Sequence, residues 1–178
     1  MDGGPQFENA GSEAAKNCAL EARAAGVHRI IYLGVLANGG DLSPHMRSRA
    51  KTGDILRSSG IPVIEFQASV VIGSGSASFE MIRALVERLP VMITPRWVTT
   101  RCQPIAIDNV LDYLERCLAE PRSIGATLEI GGPDVLTYGA MMQGYASIRG
   151  LRRYLIPVPV LTPRLSSYWV DLVTPIPA

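Results

Sequence analysis

One stretch, residues 27–73, constrains the fold most, because it has the pattern of a strand, a helix and a second strand. Two short apolar runs, Arg29–Val35 and Pro62–Gly73, flank a helical pattern that runs from Ser43 to Ser59. This order is typical of a βαβ unit with a right-handed crossover. Strands of a parallel sheet are covered on both faces, so largely apolar runs are expected rather than alternating ones. The sequence therefore predicts an α/β fold.

Helix start and stop signals divide the rest of the chain. Ser43 with Pro44 in the first turn is a strong helix start, and Gly60 is a strong stop. Further helices are predicted to begin at four positions: Ser12, Ser78, Asp108 and Thr137. Short strands are predicted at residues 91–93, 97–98 and 127–131. Residues 1–11 have the composition of a loop or a cut edge, and the chain beyond Gly150 is rich in proline.

Composition and charge limit the function classes. A chain of 178 residues is long enough for one domain with a real core, and 47% hydrophobic residues exclude a disordered chain. The formal net charge of +1 gives no reason to expect nucleic acid or an anionic membrane as a partner. No signal peptide is visible, and no stretch approaches the roughly 20 apolar residues that a membrane helix needs. The sequence predicts a soluble, cytoplasmic protein.

Cysteine and histidine usage gives no sign of a disulfide framework or a metal centre. Cys18, Cys102 and Cys117 are odd in number and widely spaced, which favours buried thiols in a reducing compartment. His28 and His45 are separated by a whole predicted strand, and no cysteine pair has the spacing of metal ligands. No metal site is predicted.

The order of several landmarks resembles a known family. A helix that ends at Ala24–Val27 is followed by the strand Arg29–Leu33 and by a helix that ends at Ile55–Gly60. Two later segments, Pro104–Val110 and Glu129–Tyr138, fit the same order. This order resembles the later half of atypical and extended short-chain dehydrogenases/reductases. Within them it is most similar to the NmrA-like, NAD(P)-binding type that is described as nucleoside-diphosphate-sugar epimerase-like, and the similarity covers roughly residues 12–145.

The resemblance implies a partial Rossmann-like parallel sheet, made of the later strands, with a small substrate-side α+β portion. Residues 1–150 would form the C-terminal portion of the NAD(P)-binding domain, and residues 151–178 a Pro-rich C-terminal extension. The family's first nucleotide-binding βαβ half carries a Gly-rich turn on the cofactor pyrophosphate. No such turn lies near this N-terminus, and Gly73–Ser76 comes too late and lacks the third glycine. The chain is therefore expected to be the truncated, C-terminal part of a longer protein.

The family's proton-transfer pair, Tyr-x-x-x-Lys, aligns with His45 and Arg49, whose spacing puts them on one helix face. An imidazole can act as an acid or a base near neutral pH, and an arginine can hold ribose hydroxyls or a phosphate as a fixed cation. The hydroxyl that the family places at the end of the preceding strand falls near Gly34 and Val35, which have none, and Ser43 is the close substitute. The resemblance thus implies His45, Arg49 and Ser43 as catalytic residues, although the full dehydrogenase triad is absent.

The resemblance also implies a cofactor site and a substrate site. Cofactor contacts would come from residues at the strand ends and on the helix: Leu33, Gly34, Arg49, Ala68, Ser69, Val70 and Val71. Substrate contacts would come from Arg96, Trp97 and Gln103, since a cation near an aromatic ring can hold a phosphate or a carboxylated ring. Without the family, the same residues have plainer interpretations as a surface histidine, a buried strand end and a solvated loop.

The preferred interpretation is a fragment of an NAD(P)-binding oxidoreductase or epimerase-like protein. Its cofactor would be NAD or NADP in the full-length relative, with weak or absent binding by this chain alone, and its other partner would be a small-molecule substrate. The alternative is a non-catalytic NAD(P)-sensing or assembly subunit that keeps the fold without the chemistry. A third interpretation is an inert fragment that self-associates through an exposed sheet edge.

Overall fold

The computed structural model describes residues 5–37 and 42–158. Within these ranges the strands are β1 (Ile30–Val35), β2 (Val63–Ala68), β3 (Val71–Ile72), β4 (Val91–Thr94), β5 (Arg101–Cys102), β6 (Ile105–Ala106), β7 (Thr127–Ile130), β8 (Leu136–Thr137) and β9 (Tyr154–Pro157). The helices are α1 (Pro5–Ala24), α2 (Pro44–Arg57), α3 (Ala77–Arg88), α4 (Ile107–Ala119) and α5 (Tyr138–Ile148). Two 3₁₀ helices span Arg96–Thr99 and Pro121–Ser123.

The chain divides into two compact units, each assembled from two segments. The first unit comprises Met1–Ser69 and Asp108–Gly131. The second unit comprises Val70–Ile107 and Gly132–Ala178.

The first unit is built on a three-stranded parallel sheet in the order β1-β2-β7. Ile30–Val35 pairs with Val63–Ala68 over the whole length of both strands. On β2, the Glu65 side chain points towards α2, and Phe66 makes a ring contact with Tyr113 of α4. Because successive side chains of a strand alternate, α2 and α4 cover opposite faces of the sheet. The strand–helix–strand unit predicted for β1, α2 and β2 is confirmed.

The helix α2 begins where its cap predicts. The Ser43 hydroxyl accepts a hydrogen bond from the Met46 N–H at 3.3 Å, which satisfies one of the free amides of the first turn. The helix ends at Arg57, short of the predicted end at Ser59. Gly60 then adopts a φ of +81°, a left-handed conformation that glycine reaches without strain, and the chain turns into β2.

The helix α1 begins earlier than its composition predicts. Residues 5–11, predicted as a loop, are helical, and Ser12 is a buried residue inside the helix rather than its cap. Small residues here serve close packing: a Cβ at Gly11 would lie 2.8 Å from the Ser48 hydroxyl of α2. Contact with α2 therefore outweighs the low helix propensity of this segment.

The described residues of the second unit form three two-stranded sheets. β3 pairs with β6 and β4 with β9 in parallel, whereas β5 and β8 are antiparallel. Its core joins α3, α5 and the neighbouring strands through buried apolar side chains: Val70, Ile82, Leu85, Val86, Met92, Cys102, Met141, Met142 and Ala146.

The apolar run predicted as one strand after α2 is divided between the two units. β2 ends at Ala68, and β3 begins at Val71 and pairs with β6 instead of continuing the first sheet. The change of partner falls at Val70, whose carbonyl accepts from the Ile105 N–H at 2.9 Å. The strand predicted at residues 97–98 is also wrong, since both residues lie in a 3₁₀ helix. Periodicity detects apolar segments, but it does not show which strand they will pair with.

Two other helix starts are shifted and one is confirmed. α3 is capped by Ser76 rather than starting at Ser78, and α4 starts at Ile107, one residue before the predicted Asp108. Thr137 caps α5 as predicted, with its hydroxyl accepting from the Ala140 N–H at 3.0 Å.

The three thiols are free. Cys102 and Cys117 are buried as predicted, but Cys18 is exposed on α1, so the prediction for that residue is wrong. Within the predicted extension 151–178, β9 pairs with β4, and residues 159–178 lie outside the described part. No described helix is long and apolar enough to cross a membrane, and no described cluster of side chains could hold a metal ion.

A pair of glycine substitutions tests how tightly α2 lies on the sheet. A Cβ at Gly53 would come within 2.9 Å of the Glu65 carboxylate, whereas a Cβ at Gly144 in α5 would meet nothing within 4 Å. Both Ala variants gain about 1 kcal/mol of helix propensity. We expect Gly144→Ala to be stabilised by roughly that amount. In Gly53→Ala, overpacking costs about 1–3 kcal/mol, which cancels the gain or exceeds it, so this variant is expected to be no more stable than wild type. Urea unfolding measures both, and equal stabilisation of the two variants would contradict the packing described.

Candidate functional site

The predicted catalytic residues lie at the start of α2, which follows the carboxyl end of β1. Ser43 and His45 are exposed, and Arg49 is half-buried one turn further along the helix. The Ser43 hydroxyl is engaged as the helix cap. Ligands of open parallel sheets bind outside the carboxyl ends of the strands, so this is the edge at which a small-molecule site is expected.

Arg49 is the best-fixed of these side chains. Its Nη2 donates a hydrogen bond to the Leu33 carbonyl oxygen at 2.7 Å, and its Cζ lies 5.4 Å from the centroid of the Tyr32 ring. The Tyr32 hydroxyl in turn donates to the Arg49 carbonyl oxygen at 3.0 Å. A cation over an aromatic face is stabilised by the ring quadrupole, and the two hydrogen bonds fix both ends of the contact. A positive charge is therefore held beside the carboxyl half of β1.

Tyr32 was not among the predicted site residues. Burial raises the pKa of its phenol, and the Arg49 cation and a hydrogen bond with the Thr52 side chain oppose that shift. The phenol therefore stays protonated at neutral pH and acts as a hydrogen-bond donor, which suits a residue that positions Arg49. The sequence signal was present but weak: Tyr32 carries the only polar side-chain group in the run Ile30–Val35.

Glu65 is the second side chain that sequence reasoning missed. It is 1% exposed on the central strand β2 and pairs in register with Tyr32. Arg57, the last residue of α2, forms an ion pair with its Oε2, which has no other polar partner among the described residues. Gln67 donates to Oε1 at 3.1 Å. The signal available in the sequence was that Glu65 is the only acidic residue of an apolar strand. Acidic residues are almost never fully buried without a partner, so its position indicated a partner nearby.

Two glycines make room for this carboxylate. A Cβ at Gly34 would lie 2.6 Å from Glu65 Oε1, and Gly53 of α2 approaches the same carboxylate from the other side. The absence of a side chain at Gly34, which was predicted as a cofactor contact, leaves room for Glu65. Glu65 and Arg57 therefore join the underside of α2 to the sheet.

The predicted cofactor contacts fall in both units. In the first unit Gly34 lies beside Gln67, and Val35 beside Ala68, so β1 and β2 end at the same edge. Leu33 and Arg49 contact each other directly, and the exposed Ser69 follows β2. Val70 and Val71 belong to the second unit, where Val70 is buried and Val71 pairs with Ile105 of β6.

The predicted substrate contacts all lie in the second unit. Arg96 and Trp97 are neighbours in one 3₁₀ helix, where Arg96 is exposed and the Trp97 ring packs edge-on against Tyr138 with centroids 5.5 Å apart. Burial, together with the nearby Cys102, raises the pKa of the Tyr138 phenol. The Gln103 side-chain amide donates to the Gly132 carbonyl oxygen at 2.6 Å, so it joins two loops.

The first unit also has a cavity on the face of the sheet opposite α2. This cavity of about 360 Å³ is open to solvent and lies between α4 and the strands β2 and β7, and its walls include Phe66, Tyr113, Cys117 and Leu128. The Phe66 and Tyr113 ring centroids are 6.0 Å apart. The cavity is mainly apolar, and none of the predicted site residues lines it.

Comparison with known proteins identifies the fold. No protein-family model and no curated protein sequence matches the chain. Among solved structures, a dTDP-4-dehydrorhamnose reductase from Bacillus anthracis in complex with NADP superposes with a TM-score of 0.66 at 11% identity, covering 82% of this chain and 56% of that one. A UDP-glucuronic acid 4-epimerase from Bacillus cereus in complex with NAD gives 0.67 at 14% identity, covering 82% and 54%. A short-chain dehydrogenase/reductase superfamily protein from Agrobacterium tumefaciens with bound NAD gives 0.65 at 14% identity, covering 89% and 65%.

The chain therefore shares the Rossmann-like α/β fold of these proteins, and the predicted fold class is confirmed. It spans about 54–65% of their length. At 11–14% identity the likeness concerns the fold alone. The NmrA-like subgroup stays a prediction.

A pair of arginine substitutions tests the contact that fixes α2. Glu65 is buried whereas Arg57 is 36% exposed, so Arg57→Leu leaves the buried carboxylate without its cation and is expected to cost about 2 kcal/mol of unfolding free energy. The matched control is Arg116→Leu, since Arg116 is 82% exposed and lies 3.8 Å from Asp112, an arrangement worth less than about 0.5 kcal/mol. The double variant Arg57→Leu/Glu65→Leu is expected to recover most of the loss. Equal costs for the two single variants in urea unfolding would show that Glu65 does not depend on Arg57.

Proposed function

We propose that this chain is part of an NAD(P)-binding oxidoreductase or epimerase of the short-chain dehydrogenase/reductase type. The observation that carries the proposal is the half-buried Arg49 cation, fixed by Tyr32 and Leu33 beside the carboxyl half of β1 in a Rossmann-like sheet. The nicotinamide half of a dinucleotide would lie along the edge formed by Leu33, Gly34, Ala68 and Ser69. Proteins of this fold have been solved with NAD or NADP, which supports the choice of ligand class.

Arg49 fits a ribose or phosphate contact chemically. A guanidinium has five N–H donors, so the bond to the Leu33 carbonyl leaves donors for ribose hydroxyls or a phosphate oxygen. It cannot lose its proton in a protein, so its role is binding and orientation rather than proton transfer. When bound, the dinucleotide supplies the hydride acceptor or donor.

His45 is the proposed proton-transfer residue. It lies one helical turn before Arg49, and an imidazole can give or take a proton near neutral pH. Ser43 is the proposed hydroxyl partner, and its Oγ retains a donor while it accepts from the Met46 N–H. In this role the His45 imidazole would give a proton to the substrate oxygen or take one from it.

The substrate side is proposed to use Arg96 and Trp97. Arg96 is exposed and can pair with an anionic group, and Trp97 is held edge-on by Tyr138 and can present part of its ring. Gln103 is proposed to act through its contact with the Gly132 loop. A small molecule that combines a ring with a phosphate or carboxylate suits this set. Solved relatives of the fold include a protein in complex with UDP-glucose and NAD.

The second candidate function is a non-catalytic NAD(P)-sensing or assembly subunit. It is favoured by the end of β1, where Gly34 and Val35 provide no hydroxyl, and by the engagement of the Ser43 hydroxyl as a helix cap. A sensing subunit would use the Arg49 contact, and its dinucleotide binding would be unchanged when His45 is replaced. An enzyme would lose turnover in His45→Ala and keep it in the control His28→Ala.

Dinucleotide binding is tested with the wild-type chain by saturation-transfer difference NMR with NADPH and with NADH. We expect transfer to the ribose protons, with weak affinity. Arg49→Leu should weaken binding about tenfold or more, because a hydrogen bond to a charged group is lost. Arg47→Leu is the matched control. Arg47 lies on the same helix as Arg49, and its guanidinium also donates to a backbone carbonyl oxygen, that of Leu42, at 2.6 Å. Equal transfer in wild type and Arg49→Leu, or none at millimolar ligand, would refute the proposed contact.

A further inference from the structure

The side chain of Gln67 lies at the carboxyl end of β2, on the face of the sheet that α2 covers. It follows Glu65 by two positions, and alternate residues of a strand point to the same side of the sheet. β2 is paired with β1 on one side and with β7 on the other, so Gln67 does not lie on a sheet edge. Its register partner Gly34 carries no side chain on that face. The Gln67 side chain is only partly buried, and part of it is therefore accessible at this end of the sheet.

Glu65 fixes which way round the Gln67 amide lies. The Gln67 Nε2 donates a hydrogen bond to Glu65 Oε1 at 3.1 Å. Arg57 forms an ion pair with the other carboxylate oxygen, and an acid paired with a guanidinium stays ionised. An ionised carboxylate has no proton to donate, so only the nitrogen end of the amide can face it. The Gln67 oxygen must then point away from Glu65.

This outward oxygen is an unused acceptor within the described part of the chain, where no residue donates a hydrogen bond to it. The group that orients it is itself fixed, since Glu65 is 1% exposed and is enclosed by Gly34 and Gly53. Ligand sites owe their specificity to a few polar groups that are held in place in this way. An oriented acceptor at the carboxyl end of a central strand is therefore suited to recognise a hydrogen-bond donor.

We propose that Gln67 is a specificity-determining residue of the dinucleotide site, and that Glu65 is its positioning residue. The Gln67 oxygen accepts a hydrogen bond from the carboxamide N–H₂ of the nicotinamide. This inference rests on the proposed function, which places the nicotinamide half along an edge that includes Gly34 and Ala68. Gly34 is the register partner of Gln67, and Ala68 is its neighbour in the chain.

The two fixed polar groups of this edge complement different parts of the ligand. The Arg49 guanidinium offers only donors, so it suits the oxygens of ribose hydroxyls and phosphates. The nicotinamide carboxamide has an N–H₂ that needs an acceptor, and the Gln67 oxygen provides one. A ligand without this N–H₂ leaves the partly buried oxygen unpaired, and polar sites discriminate strongly against such ligands. Gln67 therefore distinguishes nicotinamide from a ring of similar shape that lacks the amide nitrogen.

The test compares NADP⁺ with its 3-acetylpyridine analogue, in which a methyl group replaces the amide nitrogen, in saturation-transfer difference NMR titrations of the intact chain. Wild type is expected to bind NADP⁺ about tenfold more tightly than the analogue. Gln67→Met keeps the length of the side chain and removes the acceptor, so it should lower the affinity for NADP⁺ to that for the analogue. The matched control is Gln143→Met, since Gln143 is an exposed glutamine of the second unit that donates to the Arg153 carbonyl oxygen. This control should keep the wild-type preference.

The substitution Glu65→Gln tests the positioning role. With an amide at position 65, the Arg57 guanidinium pairs with the amide oxygen and leaves the N–H₂ facing Gln67, which must turn its own oxygen inward. The preference for NADP⁺ over the analogue is expected to disappear. A loss of stability alone would weaken both ligands alike and leave their ratio unchanged, which would overturn the positioning role. A readout without any variant is hydrogen exchange in wild type, where the Gln67 side-chain amide protons should exchange more slowly than those of Gln143.

Two results would overturn the proposal and leave the dinucleotide site standing. One is equal affinity of wild type for the two ligands, and the other is an equal loss of both ligands in Gln67→Met, which would indicate a donor other than the carboxamide. No binding of NADP⁺ by wild type would overturn the proposed function itself, and this inference with it.

Discussion

The first unit depends on one buried contact, the Glu65 carboxylate beneath α2. A charge that is 1% exposed is costly unless it is paired, and here Arg57 and Gln67 provide the partners. Gly34 on β1 and Gly53 on α2 leave the space that the carboxylate fills. This contact sets how far along the sheet α2 lies. The positions of Ser43, His45 and Arg49 follow from it, because the same helix carries them.

Arg49 connects the proposed site with the architecture of the sheet. Its guanidinium contacts a backbone carbonyl at the edge of β1 and an aromatic ring on the same strand. The bond to the Leu33 carbonyl leaves donors of the guanidinium for ribose hydroxyls or a phosphate oxygen. The bond between Arg49 and the Leu33 carbonyl thus connects the proposed dinucleotide site to β1.

Helix caps, turn glycines and apolar runs in the sequence predicted the elements that depend mainly on interactions between neighbouring residues. The Ser43 cap, the turn at Gly60 and the two parallel strands on either side of α2 could all be predicted from the sequence. The division of the second apolar run between β2 and β3 could not, because it depends on β6, a partner more than 30 residues away. Tyr32 and Glu65 were missed for a related reason. A single polar residue in an apolar strand shows its purpose only when the residues that face it are known.

The proposed site places a nicotinamide dinucleotide at the carboxyl edge of the sheet beside α2. Titration of the ¹⁵N-labelled chain with NADPH, followed by two-dimensional amide NMR, tests it most directly. Binding at this edge would give the largest shift changes at Leu33, Gly34 and Arg49, with little change on α4. Changes confined to Tyr113 and Cys117, which line the cavity on the opposite face, would contradict it.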